Sequence, residues 1–465
     1  MSKRSWWLMI SIGLGIMLNP LNSSMVAVAI PNLQHTFQLN YTAVSWIIFA
    51  FYIASAVTQP VMGRASDLFG RRKIFLAGLL VSFIVSLCAP LSISFGWLIV
   101  FRIVQSIGTS MMVAVGMAIV RIHITEKQST ALSVLSIFLS GAAAIGPFIG
   151  GLLMYWWDWR AIFLGNIPFV IASMLLAWKV IPDDKASIPK ADRLTLGKWM
   201  IRIDAAGIFL FTLGLVALLL GVLSAQSSHS LSVYSFTVGL AGIILLAAFI
   251  WHERRAASPF IPLRIFARHP AMTWVNIEFV VVNLIFYAVF FGLPSYLQIV
   301  RHISELNTGI LMLSLGICSL LVSPVAGRWI DRSGPGPALL FSAMFMTLGS
   351  IGLVALGPDS GMIGICMALG AFGISNGLNN VGMQAALFAA SPKEIIGVAS
   401  GLFSTSRYIG TILSSLLISI VAGTQFTFAG FRLLGVILTI AAVLLVCMQW
   451  QRYKRHQHIS SDTLS

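Results

Sequence analysis

About fourteen runs of apolar residues follow one another along this chain, each near the roughly 20 residues that a helix needs to cross a hydrocarbon core. They begin near residues 7, 44, 74, 96, 131, 161, 204, 232, 271, 306, 338, 362, 397 and 428, with short polar stretches between most of them. No globule in water could hide so many runs, because only 9% of the 465 residues are charged while 58% are hydrophobic. Inside lipid each backbone polar group needs a partner within its own segment, so the runs are expected as helices. The predicted class is an all-α polytopic membrane protein.

A net charge of +15 would suggest nucleic acid in a soluble chain, so the placement of the cations decides. Most of the 29 Lys and Arg fall at the N-terminus, in the C-terminal tail or in the even-to-odd loops. That is the positive-inside pattern. It predicts cytoplasmic termini and basic cytoplasmic loops in the cell membrane, lipid as a neighbour, and no nucleic-acid partner. The start, MSKRSWWLMISIG, has the basic and apolar parts of a signal peptide, but its apolar run is too long for one and is read as an uncleaved first span. Cys88, Cys318, Cys366 and Cys447 lie within predicted spans without metal or redox spacing, so no metal site or disulfide is expected.

One polar stretch occurs twice. PVMGRASDLFG at 60–70 and PVAGRWIDRSG at 324–334 share P-V-x-G-R-x-x-D-x-x-G, with Asp67 and Asp331 in matching places. The first copy joins spans 2 and 3, the second spans 10 and 11, so the chain is duplicated only if spans 7 and 8 are set aside as an insertion. The expected organisation is a first six-helix half over 1–181, a basic linker with two inserted helices over 182–270, a second six-helix half over 271–451, and a tail over 452–465. Paired halves are how a transporter rocks about a site between them. In the repeated loop, Gly63 and Gly70 permit tight turns, Asp67 accepts hydrogen bonds, and Arg71 and Arg72 face the lipid surface, so that with Asp331 they form a candidate cytoplasmic gate.

With these motifs the sequence resembles the major facilitator superfamily (MFS), and within it the fourteen-helix drug:proton antiporter branch. GRASDLFGRRK is similar to that family's loop 2-3 signature, RIVQSIG with Arg102 and Gln105 to its fourth-helix motif, and GAAAIGPFIGG at 141–151 to its antiporter motif, with Ala142 where the motif usually has Gly. WRAIFLGNIP at 159–168 and LNSSMVAVAIP at 21–31 resemble segments typical of the branch, except that Asn22 stands where the family usually has Asp. The resemblance implies the MFS fold, a small hydrophobic or amphiphilic substrate, energy from a proton gradient without a cofactor, and a monomer. It also implies a coupling role for Arg102 and a flexing helix built on Gly146, Pro147, Gly150 and Gly151.

The polar residues inside spans are the candidate site. Arg102 costs at least ~2.5 kcal/mol within a span unless solvated or paired. With Gln105 and Thr109 it makes one polar helix face, which either lines a cavity or bonds neighbouring helices. Asn19 and Asn22 in span 1, Asn276 and Asn283 in span 9, Asn379 in span 12 and Arg407 in span 13 are further candidates for the substrate cavity. Glu278 is the one carboxylate read as well inside a span, and so the leading proton carrier; the alternative is a packing pair with an Arg of another helix. At 100° per residue it does not share the face of Asn276 and Asn283. Asn22 cannot titrate, which leaves two readings: Glu278 alone handles protons, or the substrate is neutral or anionic.

The function expected is export of hydrophobic or amphiphilic drugs by proton antiport with alternating access. A dedicated exporter or importer of one metabolite or antibiotic is the alternative, and a non-transporting membrane sensor the alternative of another class. An ATP-driven pump is disfavoured because G-x-x-x-x-G-K-[ST] does not occur, and an embedded enzyme because no HExxH or paired acids lie in spans.

Overall fold

In the computed structural model, residues 3–124, 128–182, 204–227, 233–256, 259, 261, 263–357, 360–391, 396–423 and 426–462 are described. The basic segment 183–203 and the side chains of Arg64 and Asp67 lie outside them. All regular structure among the described residues is helical. The first half of the chain contributes α1 (Lys3–Ile16), α2 (Leu18–Thr36), α3 (Tyr41–Val44), α4 (Trp46–Phe69), α5 (Arg71–Cys88), α6 (Phe95–His123), α7 (Gln128–Trp156), α8 (Ala161–Leu164) and α9 (Ile167–Val180). A hairpin, α10 (Ala205–Ser227) and α11 (Val233–Glu253), follows, then α12 (Leu263–Arg268). The remainder forms α13 (Pro270–Ser295), α14 (Glu305–Ser333), α15 (Pro335–Ala355), α16 (Met362–Ala390), α17 (Ile396–Ala422) and α18 (Phe428–Asp462).

Thirteen of the described segments are long and apolar enough to span a membrane, with α1 and α2 read as one, and Ala205–Gly221 within α10 is a shorter apolar helix. Their limits follow the runs: α6 begins at Phe95 where 96 was expected, and α16 at Met362, where the run begins. The surface is that of a lipid-facing protein. Ile93, Ile363, Trp178 and Phe236 stand exposed, while Arg102, Gln105, Asn22, Glu278 and many serines are buried. Such an arrangement would be unstable in water and is stable in hydrocarbon, where exposed apolar side chains cost nothing and polar ones must find partners inside.

The repeated stretch explains its own last letter. Gly70 is the single residue between α4 and α5, with φ of 93°, and Gly334 is the single residue between α14 and α15, with φ of 75°. Both lie in the left-handed region that side chains with a Cβ avoid. Their amides cap equivalent carbonyls, of Ser66 at 3.1 Å and Ile330 at 2.9 Å. The pattern therefore writes one helix-turn-helix corner twice.

The described chain forms two compact units. Unit 1 holds Met1–Asn22, Thr36–Leu139 and Asp158–Arg268. Its core is a cluster of α1, α5, α6 and α9 side chains, including Met9, Ile12, Phe75, Met112, Val115 and Val170. The α10–α11 hairpin belongs to it and closes on small residues: a Cβ on Gly242 would stand 2.7 Å from Leu218 Cα, and one on Gly221 would meet Gly239 backbone. Unit 2 holds Ser23–His35, Ser140–Trp157 and His269–Ser465. Two segments from the first six spans, most of α2 and the C-terminal part of α7, thus lie in unit 2. The reason is close approach. A Cβ on Gly150 would stand 2.9 Å from Met25 Cα, and one on Gly151 2.5 Å from the Glu305 carbonyl oxygen. From the α14 side, a Cβ on Gly309 would lie 2.7 Å from the Pro147 oxygen and one on Gly316 2.5 Å from Ala144 Cα.

Candidate functional site

In unit 1, α6 carries Arg102 and Gln105 one turn apart, so both side chains point to the same side. Arg102 is 1% exposed and donates from Nη1 to Gln105 Oε1 at 2.7 Å. Its guanidinium lies 4.2 Å from the centroid of the Phe51 ring on α4. Spending its carbonyl on Arg102 turns the Gln105 amide nitrogen toward Asn22 Oδ1, to which it donates at 2.9 Å. Asn22 Oδ1 accepts a second hydrogen bond, from Asn166 Nδ2 at 2.7 Å, and Asn22 Nδ2 donates to the Leu18 carbonyl at 2.7 Å. One turn before it, Asn19 donates to Thr109 Oγ1 at 3.1 Å. Four of the candidates, Asn19, Asn22, Arg102 and Gln105, are therefore brought together by the start of α2 lying against α6.

Asn166 escaped the reading of the sequence as a site residue, although WRAIFLGNIP contains it; nothing in the spacing alone tells an amide in a short loop from one in a polar network. It is 1% exposed and also donates to the carbonyls of Ile162 and Phe163. Asn166→Leu should cost about 1–3 kcal/mol, since Asn22 loses a donor and the buried amides around it are left short of partners. Denaturant titration of the purified protein in detergent checks this.

Unit 2 sorts its polar residues by helix face. Asn276 Oδ1 accepts from Ser406 of α17 at 2.9 Å, and Asn283 lies against Gly410 of the same helix. Their amide nitrogens donate back to the Met272 and Phe279 carbonyls. Glu278 turns instead to α18, where Oε2 accepts from Gln449 Nε2 at 2.8 Å and from Arg452 Nη1 at 3.0 Å. It is 2% exposed. Arg407 lies 5.7 Å from the Phe279 ring, which stacks on Phe403 at 3.7 Å. Asn379 on α16 makes a 3.4 Å contact to Ser375 Oγ, beside an α14–α16 bond from Asn376 Nδ2 to Ser319 Oγ at 3.0 Å. Gln449 and Arg452 are partners of Glu278 that the sequence does not flag, because both sit where a helix leaves the apolar run.

The gate candidates are spread along the two corners. Gly63 has open space around it, Gly70 makes the turn, and Arg72 Nη2 donates to the Trp178 carbonyl at 2.7 Å. Arg71 opens α5, Asp331 is exposed in the last turn of α14, and the side chain of Asp67 is outside the described residues. Among the antiporter-motif residues, Gly146 is buried, Pro147 sits within α7, and Gly150 and Gly151 make the close approaches given above. A further acidic group lies at one end of the hairpin. Asp204 caps α10 by accepting from the Gly207 amide at 3.0 Å, and pairs with His252 Nε2 at 2.7 Å. Glu253 beside them is 1% exposed, a buried carboxyl that the sequence reading did not count within a span.

Among the described residues no group of three or more His, Cys, Asp or Glu side chains is placed to hold a metal. The arrangement is one of isolated polar contacts between packed helices, suited to binding and moving solutes. The chain is similar to a solved structure of the nucleoside transporter NupG, with a TM-score of 0.61 over 97% of this chain and 99% of that one at 11% identity, which is a likeness of fold. It is 42% identical over 433 residues to the uncharacterized MFS-type transporter YwoD of Bacillus subtilis (strain 168), covering 93% of each protein. It is 26% identical over 424 residues to the tetracenomycin C resistance and export protein of Streptomyces glaucescens, covering 91% of this chain and 77% of that protein. The family model described as Major Facilitator Superfamily matches residues 12–415, and with a helical fold of that type and such relatives this chain belongs to the Major Facilitator Superfamily of membrane transporters.

Proposed function

We propose that this transporter exports hydrophobic or amphiphilic compounds across the cell membrane by proton antiport with alternating access, as a monomer with both termini in the cytoplasm and no cofactor. The observation that carries the reading is Glu278. A carboxylate this deeply buried must be neutralised, and Arg452 does so in this state. A proton is the other way to neutralise it, so loss of the Arg452 contact and uptake of a proton are alternatives that a moving α18 can exchange. Arg102 is the second coupling candidate. Asn19, Asn22 and Gln105, within unit 1, and Asn276, Asn283, Asn379 and Arg407, within unit 2, are each proposed as substrate-binding residues. The seam of Gly150, Gly151, Gly309 and Gly316 is a contact that alternation would break and remake, and the repeated corners with Gly63, Asp67, Gly70, Arg71, Arg72 and Asp331 would gate the cytoplasmic side. Export is the direction named for the Streptomyces relative.

The test is proton release from everted, acid-loaded vesicles on addition of apolar compounds. Substrate-driven alkalinisation of the lumen is the expected result. Transport that proceeds equally with the proton gradient collapsed would overturn the coupling.

A further inference from the structure

Among the described residues Arg102 makes no ion pair. A guanidinium has five N–H donors. Among the described residues it makes one hydrogen bond, to the neutral Gln105 carbonyl, and Nε has no acceptor. The Phe51 face is a weaker partner than a carboxylate. Behind Gln105 every link is an amide: Asn22 Oδ1 takes donors from Gln105 and Asn166, and Asn22 Nδ2 is committed to the Leu18 carbonyl. That last bond needs an N–H, so position 22 is built as an amide and not as a carboxylate.

One further cation, in unit 2, repeats the imbalance. In unit 2 the Arg407 guanidinium rests near the Phe279 ring and makes no ion pair among the described residues, and the one carboxylate midway along α13, Glu278, is already answered by Arg452. Among the described residues each unit by itself thus carries an intramembrane cation without a counter-ion. An intramembrane cation of this kind is a functional-site candidate by default, and the negative group of a ligand is one source of the missing charge.

We propose that the Arg102 guanidinium is the seat for the negative group of the substrate, and that the substrate is an amphiphilic organic anion, an apolar body bearing a carboxylate. The inference rests on reading the Asn22–Gln105–Arg102 network as part of the substrate cavity. Gln105, tied back to Asn22, holds the guanidinium in place and leaves its remaining donors for the anion, while Phe51 covers one face. A cationic compound meets only repulsion there. An inside-negative membrane favours both legs of the exchange, the anion leaving and the proton entering.

The test uses the full chain in phosphatidylcholine nanodiscs and two fluorescent probes with one ring system, pyrenebutyrate and its trimethylammonium counterpart. Titrations are run in high salt, so that exposed Lys and Arg are screened and the buried group is not. The expected result is a preference for the carboxylate of about tenfold or more, kept in Arg102→Lys, lost in Arg102→Gln, and narrowed or reversed in Asn22→Asp. Equal binding of the two probes by the wild type, binding of neither, or preference for the cation overturns the proposal without any variant having to fold. A carboxylate preference that survives in Arg102→Gln removes Arg102 from the role. Proton release in vesicles separates the two readings. If the carboxylate binds but neither probe releases protons, antiport fails and the seat stands; if only the cation releases protons, the seat fails and antiport stands.

Discussion

Gly316→Leu should leave little folded protein in the membrane. Even a Cβ at this position would lie 2.5 Å from both the Cα and the Cβ of Ala144 and 2.7 Å from its carbonyl oxygen. Backbone cannot swing aside as a flexible side chain does, so α7 and α14 would have to separate. The cost should reach about 3 kcal/mol, the upper part of the range for overpacked sites. Gly141→Ala is the matched comparison, in the same helix as Ala144. Nothing lies within 4 Å of a Cβ there, and exchanging glycine for alanine within a helix is favourable by up to ~1 kcal/mol. Melting temperature in detergent should therefore fall steeply for Gly316→Leu and hold or rise for Gly141→Ala. Equal behaviour would mean that the seam is not close-packed.

Glu278→Gln should abolish substrate-driven proton release while leaving the protein folded. Glutamine keeps the size and offers a carbonyl that still accepts from Gln449 Nε2 and Arg452 Nη1, now 2.8 and 3.0 Å from the carboxylate. What it cannot do is exchange a proton for Arg452. Downhill movement of substrate, measured without a proton gradient, should persist. Proton release that continues in the variant would sink Glu278 as the carrier and direct attention to the Arg102 network and to Glu253, buried at the end of the hairpin.

The Asn166 bond shows why part of the site was out of reach of the sequence. Arg102, Gln105 and Asn22 stand out because a polar group within an apolar run must have a reason to be there. Asn166 stands in the short loop between α8 and α9, where amides are ordinary, and only the return of that loop over Asn22 makes it part of a network. The same holds for Arg452, which reads as a tail cation until α18 is seen to continue to Asp462 and bring it back to Glu278.

The helices and the duplicated corner belong to the sequence alone, because they depend on local terms: apolar length against bilayer thickness, and a glycine wherever φ must be positive. Helix-wheel arithmetic also separated Glu278 from Asn276 and Asn283 before any neighbour was known. Which neighbours those faces meet was decided by the tertiary structure. It set Glu278 against Arg452, left Arg102 with amides and an aromatic ring, and drew most of α2 and the C-terminal part of α7 into unit 2 through glycines that are locally indistinguishable from the open Gly141. A contact between residues distant in sequence has no local signature, since it is fixed by how whole helices pack against one another.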